Sequence, residues 1–430
     1  MRYAPLAPEL FIENRRRLRE LLPAGALAIF QANDVQPTNA DGTMAFRQNN
    51  DLFYLSGVDQ EESILVICPG AALEKHREIL FLKETSEHIL IWEGYKLTKD
   101  EARTQSGIPT IMWLDAFKTV LPALMNEAEF VFLNANEHIR AVVEVETRDA
   151  RFIKTLQAAY PLHQYRRVAP LLHGLRAIKS AEEIRVMREA MRLTGQAFRR
   201  VLGFVRPGVW EFEVEAEILH EFVRGRSRGP AYGSIIASGK NATVLHYTSN
   251  DRQCQAGDVL LLDFGAEYAN YAADLSRSIP VSGKFDRRQR QVYDAVLRVM
   301  SFAKTRLVAG NDIETYHKEV GQNMEQELIK LDLLKAEDVK NQNPDQPEYK
   351  KYFPHGTSHY LGLDVHDVGY KYRKFEAGMV YTCEPGIYIP EENLGIRLEN
   401  DILITATGNE DLMADIPLLA DDIERLMVNG

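Results

Sequence analysis

The chain has 430 residues, 45% hydrophobic and 26% charged, with a formal net charge of −11; it is too long for one ordinary core, suits two domains, and is too acidic for a phosphate-backbone partner. The charge is spread, −4 over residues 1–175 (19 basic, 23 acidic) and −7 over the rest, so no charged tail asks for a partner. Three cysteines (Cys68, Cys254, Cys383) without a C-x-x-C pair, an N-terminal stretch broken by Pro and charge, and apolar runs far shorter than the about 20 residues of a bilayer span point to a cytoplasmic protein with neither a nucleic-acid nor a membrane partner.

The first predicted element is a helix over about 9–22, with Phe11, Leu18 and Leu22 inside and the cluster Arg15, Arg16, Arg17, Arg19 on a wet face. Short apolar strands follow at Ala26–Phe30, Ser63–Cys68 and Phe130–Leu133, with another helix at about 113–126, which together read as an α/β domain. Phe46–Gly57, polar, then aromatic, then stopped by Gly, reads as a loop feeding a strand. The irregular stretch Tyr160–Pro170 marks a boundary, giving domains 1–175 and 176–430. The second domain opens with a helix capped by Ser180 and boxed by Glu183. A second helix at about 211–226 follows Pro207-Gly208.

Val259–Phe264 and Ala269–Ile279 predict a hairpin turning around Gly265–Tyr268. Helices at about 286–307 and 312–330 come next, then a polar loop over 335–352, then strands at about 379–383, 387–389, 395–399 and 401–406. The half is α+β, helices on antiparallel strands, and it reads as a loose duplication: a helix pair and acidic hairpin (Asp263, Asp274) echoed by a helix pair and acidic strands (Glu384, Glu399).

Those carboxylates carry the chemistry. Asp263 ends the apolar run Val-Leu-Leu-Leu, where a buried charge is expensive unless something positive meets it. Asp274 lies one hairpin later, His355 and His359 sit in His-Gly-Thr-Ser-His, Glu384 follows Tyr-Thr-Cys, and Glu399 stands in an apolar strand. Each alone also reads as a turn, cap or ion-pair residue, Glu399 with Arg397 for example. Together, four carboxylates and one imidazole form an oxygen-rich divalent site favouring manganese, with zinc, cobalt or iron as competitors. Two such ions sharing bridging carboxylates are the architecture of hydrolytic two-metal centres.

The segments Val244–Tyr247, Leu262–Tyr268, Ala273–Arg277, His355–Asp367, Glu384–Gly386 and Ile396–Asp401, with Phe46–Asp51 in the first domain, resemble the Xaa-Pro aminopeptidases (aminopeptidase P) of the pita-bread metallopeptidase group over nearly the whole chain. The resemblance implies that Asp263 holds one Mn2+, that Asp274 and Glu399 bridge two, and that His359 and Glu384 hold the other. It makes Glu384, His366 and His246 catalytic, Glu384 as proton carrier and the histidines as partners of the scissile carbonyl and its oxyanion. His355, Arg397, Tyr232 and Asp41 match substrate-site positions. Phe264 is a mild departure from the family pattern; no metal-ligand position is substituted. The implied activity is hydrolysis of the N-terminal Xaa-Pro bond by hydroxide generated between two metals. A prolidase confined to Xaa-Pro dipeptides and a metal-free binding module are the rival readings. The expected partners are peptides with proline at position 2, and the expected assembly is a homo-oligomer, dimer or tetramer.

Overall fold

The structure is a computed structural model that describes residues 3–428, and it forms two compact units, Tyr3–Leu175 and Arg176 onward.

The first unit is α/β. Its sheet has six strands: β1 (Ala26–Gln31), β2 (Ile64–Ile67), β3 (Glu78–Leu82), β4 (Thr110–Trp113), β5 (Phe130–Leu133) and β6 (Gln164–Arg167), in the order β4-β3-β2-β1-β5-β6. The pairs β1/β2 and β2/β3 are antiparallel, and the remaining pairs parallel. Helices Phe117–Glu127 and Arg148–Ala159 lay Phe117, Leu124, Met125 and Leu156 on a core with Leu27, Ile29, Val66, Ile79 and Val131.

Three expectations change here. Phe46–Gly57 feeds a helix, Asn50–Ser56, not a strand: Asn49 Oδ1 accepts from the N–H groups of Asp51 and Leu52, and Gly57 ends the helix at φ 67. The stretch 160–170 contains β6, an exposed polar strand with no apolar signal, its Arg166 lying over the Phe130 ring. Arg15 is buried, not on the wet face: it sits four residues after Phe11 and three before Leu18, on the stripe that helix Pro8–Leu21 turns inward.

The second unit packs long helices on antiparallel strands. Helix Ala181–Phe204 opens with the Ser180–Glu183 capping box, and Glu211–Arg224 follows. Then come β7 (Gly229–Pro230), β8 (Ile235–Ser238), β9 (Val259–Asp263), β10 (Ala266–Tyr268), β11 (Tyr271–Ala272) and β12 (Ser276–Pro280). Helices Arg287–Arg306 and Ile313–Lys330 precede β13 (Val380–Cys383), β14 (Gly386–Ile389), β15 (Leu394–Arg397), β16 (Asn400–Ile404) and β17 (Asn409–Asp411). The stretch 335–352 is not all loop: it includes a short helix, Ala336–Asn341.

The duplication is a topological one. In the first half β9 pairs with β12, and the hairpin β10/β11 is inserted between them; in the second β13 pairs with β16 around the hairpin β14/β15. The hairpin turn in the first half is Ala269-Asn270, both at positive φ, rather than Gly265–Tyr268. At Gly265 a Cβ would meet the Ala273 carbonyl oxygen at 1.7 Å, so the chain there must be glycine. Among the described residues no helix is long and apolar enough to cross a membrane.

Candidate metal centre

Each half interrupts its strand pair at the same two places, and the acidic residues stand at the interruptions. Asp263 closes β9 and faces Ser276 across the pair. Asp274 lies in the break between β11 and β12, Glu384 between β13 and β14, and Glu399 between β15 and β16. Glu399 is therefore not inside a strand, as its apolar surroundings had implied. A break frees the side chain from strict alternation, so four carboxylates from different strands turn toward one point.

The halves are tied at that point by backbone. Glu399 N–H donates to Ser276 O at 3.0 Å, and Asp274 N–H to Asp401 Oδ2 at 3.1 Å. Buried Arg277 donates to the carbonyls of Ser276 and Glu399 and to Asn400 Oδ1. His359 comes from a segment laid along β13, where Thr382 N–H donates to His359 O at 3.0 Å and Glu384 N–H to Thr357 O at 2.9 Å.

Ligand atoms of Asp274, His359 and Glu399 all lie within 4.8 Å of one another. Three observations show that this donor set fits a divalent cation. Tyr232 Oη lies 2.5 Å from both Asp263 Oδ1 and Asp274 Oδ1, yet a hydroxyl has one proton to give. His359 Nδ1 is 2.9 Å from the Tyr360 carbonyl and donates to it. Its Nε2 faces Asp274 Oδ2 at 3.5 Å and Glu384 Oε1 at 3.7 Å, the placement of a metal-binding imidazole held by its other nitrogen. Finally, Glu399 Oε1 is buried with no hydrogen-bond partner, while Oε2 accepts from Ser276 Oγ at 2.7 Å.

The electrostatics agree. Burial, partly offset by Arg397 and reinforced by Asp274, pushes Asp263 up to about 6. Burial, offset by His359 and Arg397 and reinforced by Asp274 and Asp263, pushes Glu384 up to about 7. Glu399 is driven well above the carboxylate range by burial and by Asp274, Glu384 and Asp263. These groups are mutually repulsive without a cation.

The remaining residues ring this cluster. Arg397 forms a short ion pair with Asp263 Oδ2, donates from Nε to Ser276 Oγ at 2.7 Å, and donates from Nη1 to Tyr388 Oη at 3.0 Å. Tyr388 Oη is in turn 2.8 Å from His355 Nε2, while His355 Nδ1 is 2.8 Å from Gly356 O. Burial first, then the Arg397 charge, lowers His355 to about 3, so the ring is neutral. His366 is exposed, its ring 4.3 Å from that of His359 and nearly perpendicular to it. His246 lies on an exposed turn. Asp41 belongs to the first unit, on an exposed turn. Tyr388 and Ser276 were not singled out from the sequence. Each looks like an ordinary strand residue, and only the fold brings the Tyr388 hydroxyl over Gly386, where a Cβ would lie 2.7 Å from it.

Comparison with known proteins agrees with this architecture. Residues 185–406 match the model for metallopeptidase family M24, and residues 11–132 that for the aminopeptidase P N-terminal domain. Two Xaa-Pro aminopeptidases are each 37% identical: that of Haemophilus influenzae, with 99% of this chain and 98% of the relative aligned, and that of Escherichia coli, with 96% and 97%. The structure of Zn-substituted E. coli aminopeptidase P in complex with product superposes with a TM-score of 0.87 at 34% identity, over 99% of each chain. With its donor set for divalent metal and its aminopeptidase P-type N-terminal domain, this chain belongs to metallopeptidase family M24.

Proposed function

We propose that the protein is a Xaa-Pro aminopeptidase, with residues 1–175 as the N-terminal domain and residues 176–430 as the catalytic domain. The observation that carries the reading is end-to-end similarity to enzymes of that name, in a chain that keeps a complete set of oxygen and nitrogen donors. In this reading Asp263, Asp274, His359, Glu384 and Glu399 would hold two divalent ions; the oxygen-rich set favours Mn2+. When bound, the metals supply Lewis acidity at the scissile carbonyl and make water acidic enough to ionise near neutral pH.

The protein's own groups do the rest. Glu384 takes the proton of the attacking water and returns it to the leaving proline nitrogen. His246 and His366 donate to the substrate carbonyl and the developing oxyanion. Tyr232 aligns Asp263 and Asp274. His355 has both ring nitrogens engaged, by Gly356 and Tyr388. It therefore offers the substrate an apolar ring face, suited to a prolyl ring whose nitrogen carries no N–H. Arg397 fixes this wall through Tyr388. We place the enzyme in the cytoplasm as a homo-oligomer, dimer or tetramer, which light scattering checks.

Ala-Pro-Ala, Ala-Pro and Ala-Ala-Ala at equal concentration test the activity. Rapid alanine release from Ala-Pro-Ala and almost none from Ala-Ala-Ala is expected. Cleavage confined to Ala-Pro would instead make the protein a prolidase, and indifference to proline would leave only a two-metal aminopeptidase.

A further inference from the structure

His366 belongs to a stretch, 361–370, that has neither helix nor strand, and its side chain is exposed. No backbone ladder therefore fixes the ring that stands 4.3 Å from His359. The next residue, Asp367, is fully buried. Its Oδ1 accepts from Arg176 Nη2 at 2.6 Å and its Oδ2 from Lys179 Nζ at 3.0 Å, and Arg176 also reaches Asp364 Oδ2 at 2.7 Å. Both cations are themselves buried.

The chain is closed tightly over this clamp. Asp367 N–H donates to Tyr360 O at 2.9 Å, and Gly362 N–H donates to Asp364 O at 3.1 Å. A Cβ on Gly362 would lie 2.1 Å from Asp367 Oδ2, so the loop can fold onto the carboxylate only with glycine there. Gly362 O accepts from Ala272 N–H at 2.8 Å, two residues before Asp274, and Lys179 N–H donates to Gly378 O at 2.8 Å. The segment 360–367 is thus a loop pinned at both ends, and His366 is the residue adjoining the charged pin.

We propose that Asp367, clamped by Arg176 and Lys179, is a positioning residue that holds His366 for catalysis. Preorganisation of this kind matters for a side chain on a loop that must meet a reacting group in one geometry. The proposal rests on the role given to His366 above. A clamp that merely stabilises the fold would affect every activity of the protein alike, whereas a clamp acting through His366 has no turnover effect left once that imidazole is gone.

A double-mutant cycle separates the two. Asp367→Asn, His366→Ala and the double variant are compared on Ala-Pro-Ala, with metal content and thermal midpoint measured for each. His366→Ala is expected to lower kcat by on the order of 10²-fold, as for one lost oxyanion donor. Asp367→Asn is expected to lower kcat about 10-fold with metal content and KM nearly unchanged, and to add less than about twofold to the loss in the His366→Ala background. If Asp367→Asn does not fold, Lys179→Met takes its place in the same cycle, and Lys179→Arg, which keeps the charge, should restore kcat. Losses that multiply, or a normal kcat when the clamp is broken, would overturn the clamp role alone. A normal kcat in His366→Ala would overturn the role of His366 and the clamp with it.

Discussion

The Arg15 cluster of the first unit and the acidic cluster of the second bury charge in opposite ways. In the first, Arg15 is 1% exposed and every contact balances it: Nε donates to Glu78 Oε2 at 3.0 Å, and Nη1 donates to the carbonyls of Leu55 at 2.7 Å and Ser106 at 3.0 Å. Arg19 completes the pair from the other oxygen of Glu78 at 2.6 Å. In the second, Asp263, Asp274, Glu384 and Glu399 meet Arg397 and His359, while nearby Arg277 gives its donors to carbonyls and Asn400. The Arg15 charge is buried with its partners present. The acidic cluster is buried in excess, and the surplus indicates what must arrive. The cost of assembling unbalanced carboxylates is repaid by a bound cation, which is why such a surplus is a stronger sign of a metal than any one acidic residue.

The sharpest way to break this contrast is to remove one charge of the surplus. Glu399→Gln should abolish alanine release from Ala-Pro-Ala. Loss of several kcal/mol of metal-based stabilisation, at about 1.4 kcal/mol per decade, is on the order of 10³-fold or more. The same change should leave the thermal midpoint of the chelator-treated protein unchanged or raise it, because it relieves repulsion among buried carboxylates. A metal-free protein destabilised by Glu399→Gln would mean that this charge is structural. The balanced cluster should behave in the reverse manner. Arg15→Met leaves Glu78 buried with part of its compensation gone and should cost about 3–5 kcal/mol in a denaturant titration. Turnover per folded molecule should stay normal, and an equal fall in kcat would show that the first unit is not merely structural.

This contrast was partly readable in the sequence. The apolar run ahead of Asp263 announced an expensive carboxylate, and the spacing of Phe11, Arg15 and Leu18 contained the burial of Arg15, although four arginines in five positions pointed to solvent. The long helices were legible because a 3.6-residue stripe repeats many times within each. Strands β3, β4 and β6 were not, and β6 is polar with no apolar signal to read. The interruptions that aim Asp274, Glu384 and Glu399 were also hidden, because a break in pairing is set by the partner strand. The bonds from Tyr232 to Asp263 and from Tyr388 to His355 span 31 and 33 residues and follow from no local pattern.

The smallest expected effect concerns the join between the charged centre and the pocket. Tyr388 is the element common to both: its hydroxyl accepts from Arg397, which is ion-paired to Asp263, and donates to His355 Nε2. Tyr388→Phe removes one hydroxyl and keeps the ring packed against its neighbours in β8, β9 and the turn after β8. The proposed metal ligands are untouched, so metal content should not change. His355 keeps its bond to Gly356 O but loses the partner that fixes the ring on its other side. The bond to His355 is uncharged and contributes about 0.5–1.5 kcal/mol, so its loss should lower kcat/KM for Ala-Pro-Ala by about 2- to 12-fold, and the loss of the charge-assisted bond from Arg397 adds to this. If His355 presents its apolar face to the prolyl ring, the loss should be smaller for Ala-Ala-Ala, narrowing the preference for proline. An equal loss on both peptides would place Tyr388 with the metal ligands rather than with the pocket. A change in metal content would show that the surplus of charge extends one residue further than the contacts indicate.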